Sequence, residues 1–198
     1  MWRIVRALAC ALLLAGCSAS DDPGDQGDQV GGHGHHRAPN NDPQLIPAGK
    51  VGAPALGQPV ESMDELTAWV REVTGECADP AEADAAELAD YLGPTRVEWY
   101  GPFVAEWATC GIEPHDRLGL VLFEPGQQRA LQEFWLRGLE SGELAENPDW
   151  AFGNGFAVTA GPLGTQRLGL HYLWCEPVDL PDAHTVPADV EGCVYARP

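Results

Sequence analysis

Histidines and a group of aromatic residues carry most of the side-chain chemistry in this 198-residue chain. Three of the histidines fall in Gly32-His33-Gly34-His35-His36. Neutral imidazoles joined by flexible glycines can converge on Zn, Cu or Ni, which makes His33, His35 and His36 candidate metal ligands. The same composition also makes a plain solvated linker, and no nearby cysteine or carboxylate spacing completes a metal site. His115 stands beside Asp116, His171 lies four residues before Cys175, and His184 follows Asp182. A histidine next to a carboxylate can serve as a general base, so a surface hydrolase built on His115 or His171 is one expectation. Solvated turn histidines and a packed strand histidine are the alternative. Gly-x-Ser-x-Gly, His-Glu-x-x-His, phosphate-cradling and dinucleotide fingerprints are missing, so the sequence calls for no catalytic residues and no cofactor. Trp99, Tyr100, Phe103, Trp150 and Phe152 lie outside the clearest periodic elements. Partly exposed there, they would form a stacking surface for a sugar, a peptide or a partner protein; buried, they would be ordinary core.

Cys17 ends a different pattern. Arg3 and Arg6 charge the start of the chain, Ala7 to Leu14 is apolar, and Leu14-Ala15-Gly16-Cys17 is a small-residue box closed by a thiol. Roughly ten apolar residues are too few to span a bilayer, which takes about 20. This start resembles the bacterial prolipoprotein signal with its lipobox, and the resemblance covers these first residues alone. It implies that residues 1–16 are a signal peptide and that the Cys17 thiol takes a diacylglycerol before cleavage. The acyl chains, palmitate or similar, would then hold the protein at the cell membrane, facing outside the cytoplasm. Arginine-rich usage, with Lys50 the only lysine, and abundant Ala, Gly and Pro are similar in flavour to small actinobacterial lipoproteins of unassigned role.

The formal net charge of -19 becomes more negative once Arg3 and Arg6 leave with the signal. Such a surface repels phosphate backbones and anionic headgroups alike. Nucleic acid is therefore not an expected partner, and the membrane is one only through the lipid. Residues 17–56 are rich in Gly, Asp, Pro and Gln and show no helical or strand period. They read as a disordered tether of roughly 35 Å end to end behind the lipidated cysteine. Residues 57–198 are enough for one globular domain and too few for a large two-lobed binding protein.

Cys77, Cys110, Cys175 and Cys193 remain in that domain. An even set in an exported chain reads as disulfides with three possible connectivities, and a zinc site is the competing reading, weakened by wide spacings and no Cys-x-x-Cys. Sequential pairing, Cys77 with Cys110 and Cys175 with Cys193, closes the shortest loops.

Ser62-Met63-Asp64-Glu65 forms a capping box ahead of Leu66, Trp69, Val70 and Val73, which predicts a short helix ending near Gly75. Asp79-Pro80 predicts the start of a second helix, carrying Leu88, Tyr91 and Leu92 and stopped by Gly93-Pro94. Its other face, with Glu82, Asp84, Glu87 and Asp90, is a solvated acidic one. Residues 117–123 predict a strand with Leu118, Leu120 and Leu122 on one face and Val121 and Phe123 on the other. The main helix follows Glu124-Pro125-Gly126 and carries Leu131, Phe134, Trp135 and Leu139. A tight turn at Asn154-Gly155, a strand over 168–175 and a last strand over 193–196 complete the pattern. The expected fold class is α+β, a small antiparallel sheet packed with one main helix and two short N-terminal helices and closed by two disulfides. The expected function is a lipid-anchored extracytoplasmic module, non-catalytic, binding a ligand or partner at the cell surface. A hydrolase or metal handling by the histidine tract are the alternatives.

Overall fold

A strand apolar on both faces needs cover on both sides. The computed structural model, which describes residues 50–198, provides it. The strands are β1 (Ala81–Glu82), β2 (Glu106–Ile112), β3 (His115–Leu122), β4 (Ala151–Phe152), β5 (Phe156–Val158), β6 (His171–Trp174), β7 (His184–Pro187) and β8 (Val194–Arg197). They form an eight-stranded sheet in the order β1-β2-β3-β5-β4-β6-β8-β7, antiparallel throughout. Leu118, Leu120 and Leu122 point into one hydrophobic layer and Val121 into the other, where Phe123 also packs. The alternation continues across the sheet. Phe156 and Val158 join the first layer, while Phe152, Ala157, Leu173 and Tyr195 join the second.

Helices cover each face. α1 (Met63–Thr74) and α4 (Gly161–Arg167) lie on the first, an aliphatic layer into which Leu66, Val70 and Leu163 are buried. α1 starts because the Ser62 hydroxyl accepts from the Glu65 amide at 3.2 Å, and it stops at Gly75 in the left-handed conformation. Val73, expected on its buried stripe, is 43% exposed in the last turn of the helix. α2 (Ala85–Tyr100) and α3 (Gln127–Ser141) cover the second face, an aromatic layer holding Tyr100, Trp107, Trp135, Trp150 and Phe152. α2 is broken at Gly93, whose φ of 78° suits glycine, and Pro94 at once opens a further helical stretch to Tyr100.

Cys77–Cys110 ties the loop after α1 to β2, and Cys175–Cys193 ties the end of β6 to the start of β8, with Cα separations of 5.0 and 4.0 Å. The fold is thus the antiparallel α+β class with two disulfides, in the sequential pairing.

Several details differ from the sequence expectation. The folded body takes in Gly52 to Leu56, placed above at the end of the tether. The Gly52 amide bonds the Pro187 carbonyl, the Ala53 amide bonds Asp189, and Ala55 and Leu56 are buried in the aromatic layer. The second helix is capped by Asp84 rather than Asp79, because Ala81 and Glu82 pair with Thr109 and Ala108 of β2 before the helix can begin. α4 has no periodic sequence signature. Gly164 makes it possible, since a Cβ there would lie 2.3 Å from the Ala151 Cβ, so only glycine lets the helix backbone sit on β4. Cys17 and His33, His35 and His36 lie outside the described residues, and no helix within those residues is long and apolar enough to cross a membrane.

Candidate functional site

Polar side chains on the buried face of a helix are costly unless every hydrogen-bonding group is met. α3 carries two, Gln128 and Gln132, one turn apart and both buried. Gln132 Nε2 donates to Asp189 Oδ2 at 3.0 Å and to Tyr195 Oη at 2.8 Å, while its Oε1 accepts from the amides of Asp189 and Val190 at 3.0 and 3.1 Å. Gln128 Nε2 donates to the Gly153 carbonyl and to Tyr195 Oη, both at 2.9 Å, and its Oε1 accepts from the Gly155 amide at 3.0 Å. Asp189 Oδ2 accepts again from Ala53, at 3.1 Å. Burial and then the Asp189 charge push the Tyr195 phenol well above its ordinary value, with the two glutamine bonds opposing, so it stays neutral. One network therefore fixes α3, β8, the β4–β5 turn and the first described residues to one another.

A groove of about 660 Å³ lies above this network. Its apolar floor includes Pro59, Val60, Leu122, Phe123 and Pro125, and Glu61, Glu106 and Glu124 stand around it. All three carboxylates are exposed, and none takes part in the ion pairs among the described residues, which join Arg96 to Asp149, Arg129 to Glu133 and Arg167 to Glu76. Asn154 closes one wall, donating to the Gly57 carbonyl at 2.9 Å. Volume and lining are of the small-ligand or peptide-segment kind, with an apolar floor and a few fixed polar groups. Arg129 also lines the groove, paired with Glu133, but with Asp189 the lining carboxylates outnumber it four to one, so the local field favours a positively charged occupant.

The five aromatics expected as a stacking surface do not form one. Tyr100, Trp150 and Phe152 are buried, and Trp99 and Phe103 are half-buried against the same layer. Tyr100 stacks on Trp150 with ring centroids 3.9 Å apart, and Trp135 meets Tyr100 at 4.7 Å. Packing won because α2 resumes after Gly93 and runs to Tyr100, where the pattern showed only a loop, and with α3 closes over the sheet. Asp149 accepts from the Tyr100 hydroxyl at 2.9 Å and from both Arg96 guanidinium nitrogens at 2.7 and 2.9 Å, fastening the stack at its rim.

No known family of proteins matches this chain, and no curated protein or solved structure matches it either.

Among the described residues no hydrogen bond or ion pair joins His115, His171 or His184 to a carboxylate. His115 is exposed at the start of β3. His171 is half-buried on β6 with its pKa pushed down to about 4, by burial first and then by Arg197 and His184. The charged groups acting on it are bases, not carboxylates. His184 lies exposed on β7, paired in register with Arg197. Among the described residues no cluster of His, Cys, Asp and Glu is arranged to hold a metal ion.

Sequence reasoning missed the groove residues Glu61, Gln128, Asn154 and Asp189, although the Glu124-Pro125-Gly126 break and the Asn154-Gly155 turn that shape two walls were legible. It also missed Tyr172 and Trp174 as partly exposed rings. Their signal was the strand alternation itself, running past the last helix that covers the sheet.

Proposed function

We propose that the protein is a lipid-anchored extracytoplasmic binding module, non-catalytic, whose groove takes a partner segment that pairs positive charge with an apolar surface. The observation that carries the reading is the groove, with an apolar floor, three exposed carboxylates around it and a buried glutamine network fixing its walls. The lipobox at Leu14 to Cys17 supports the anchor, and two disulfides suit an oxidising compartment. A body this acidic has no electrostatic attraction for anionic headgroups, so acyl chains on Cys17 would supply the membrane affinity.

Binding is tested by titrating Lys- and Arg-bearing amphipathic peptides against the protein and a Glu61→Gln, Glu106→Gln, Glu124→Gln variant. The expected result is salt-sensitive binding weakened about tenfold or more in the variant. Equal affinity in both refutes the groove as the contact face. The anchor is tested separately by fractionating cells that express Cys17→Ala. Release of the variant from the membrane supports it, and a wild-type protein found unprocessed in the cytosol refutes it.

A further inference from the structure

The groove has a neighbour on its Glu106 side. A cleft of about 390 Å³ adjoins it there, and Ala105 and Glu106, both exposed, line the two together. The chain also runs from one into the other, with Pro59, Val60 and Glu61 in the groove and Met63, the first residue of α1, in the cleft. The cleft repeats the chemistry of the groove. Leu88, Val104 and Trp107 join Met63 as its apolar surface, Glu82 and Asp84 add carboxylates, and among the described residues its lining holds no base. Asp84 is committed to the start of α2, where its Oδ1 accepts from two amides. Glu82 is exposed on β1 and enters none of the ion pairs among the described residues.

Strand register sets the spacing of these carboxylates. Glu106 pairs with Leu122 and Glu82 with Ala108, so Glu82 lies one strand over and two positions along from Glu106. Glu124 lies two residues past Leu122, in the opposite sense along the sheet. At ~3.4 Å per residue and ~4.8 Å between strands, the backbones of Glu82 and Glu124 stand about 17 Å apart, with Glu106 between them. A compact cation meets one of these groups at a time. An extended polypeptide points every second side chain the same way, so residues four apart are separated by about 14 Å, and the length of the side chains closes the remainder. A linear polyamine matches the charge spacing but carries no branched apolar groups for Val60, Leu122, Met63 and Leu88 to pack against. We propose that the partner is an extended polypeptide lying across both the groove and the cleft, with two basic side chains four residues apart, one meeting Glu124 and the other Glu82. This rests on the groove reading and adds the class of its ligand and the spacing it recognises.

The test titrates two nine-residue peptides of one composition against the full chain at low salt. Both carry leucine at the first, fifth and ninth positions and serine elsewhere, with lysines either at the third and seventh or at the fourth and sixth. The wide spacing should bind about fivefold tighter, the range of one well-placed exposed charge pair. Glu82→Gln should bring the two affinities within about twofold of each other by weakening the wide peptide alone. Its unfolding midpoint, compared with that of the parent, shows that the fold is intact. Equal affinity of the two peptides for the parent overturns the proposal and leaves the groove standing, as does a preference for the wide spacing that Glu82→Gln does not reduce. Binding of neither peptide overturns the proposal and the groove reading together. Spermine is titrated alongside, and spermine bound as tightly as the wide peptide would make this a polyamine site and overturn the polypeptide.

Discussion

The two layers of this protein are built from one sheet yet solve burial differently. The layer under α1 and α4 is mainly aliphatic, with Leu66, Val70, Leu118, Leu120 and Leu170 beside one edge-to-face pair, Trp69 on Phe156. The layer under α2 and α3 is aromatic and laced with polar groups, from Tyr100 on Asp149 to the Gln128–Gln132–Tyr195–Asp189 network. The first layer needs only volume and pattern. The second must also satisfy the members of its network, because a buried network with one member missing is worse than none, although the Trp150 indole nitrogen in the same layer is buried without a partner. The groove lies over that second network, where fixed polar groups can be presented without being flexible.

If this contrast is right, a polar deletion in the aromatic layer should cost at least as much as a cavity in the aliphatic one. Gln132→Leu keeps a similar volume but strands the amides of Asp189 and Val190 and takes one of two donors from the Asp189 carboxylate and one of two from the Tyr195 hydroxyl. A loss of about 4 kcal/mol is expected from urea unfolding. Leu120→Ala, at a fully buried position, should cost about 3 kcal/mol through lost contacts and the cavity left behind. A Gln132→Leu protein as stable as the parent would reduce the network to decoration.

The Cys175–Cys193 bridge belongs to the same polar layer, and both sulfurs lie against the Gln132 carbonyl. Replacing both cysteines by serine should cost about 3 kcal/mol, the usual value for closing a loop of this length. The groove's salt-sensitive peptide binding should weaken with it, because β8 and the Asp189 loop would loosen together. The corresponding change at Cys77 and Cys110 should lower stability without touching peptide affinity. Paired denaturation and titration curves separate the two.

Acid should find the aromatic side first. His171 holds its pKa near 4 in the folded protein because burial, Arg197 and His184 all disfavour its charged form. The ordinary value, near 6.5, applies in the unfolded chain. Above pH 6.5 both states are neutral at this site and stability is unaffected. Between 6.5 and 4 the unfolded chain binds a proton that the native state refuses, so stability falls as pH falls, by up to roughly 3 kcal/mol. His171→Leu should flatten the melting-temperature curve over that window. The Glu76 carboxyl, held below its usual range by Arg167, then the Glu113 amide, stabilises the fold above the ordinary carboxylate range and loses that contribution as pH falls through and below it, on the aliphatic side.

How much of this was readable in the sequence follows the same divide. The leucine alternation of β3, the Ser62 cap, the Gly93-Pro94 break and the sequential cysteine pairing were all legible, because volume, period and local capping decide them. Gln128 and Gln132 were not, since residues four apart that look like a solvated stripe can also face inward when an opposing phenol and loop amides await them. The burial of Tyr100, Trp150 and Phe152 was hidden for a related reason. Their cover comes from Pro94 to Tyr100 continuing as helix and from α3 crossing above, contacts between segments far apart in sequence. β7 and α4 escaped notice because neighbouring strands, not propensity, impose them.

The smallest contrast lies in how the two layers start their helices. Ser62 meets one amide of α1, and Glu65 reaches back to the Glu61 amide rather than to the cap residue itself. Asp84 meets two amides of α2, those of Ala86 and Glu87 at 2.8 and 2.9 Å, and Glu87 returns the bond to the Asp84 amide at 3.0 Å. Asp84 also puts negative charge at a helix start, where the backbone dipole favours it. Asp84→Ala should therefore cost about 1.5 kcal/mol and Ser62→Ala about half that, read from midpoint shifts at constant denaturant slope. The order matters more than the sizes. The Asp84 carbonyl accepts from the Trp107 indole at 2.8 Å, so this cap also positions a ring of the aromatic layer, and its loss should propagate into that layer. A larger penalty at Ser62 would mean that the aliphatic side relies on local capping more than on leucine packing, and the contrast between the layers would have to be redrawn.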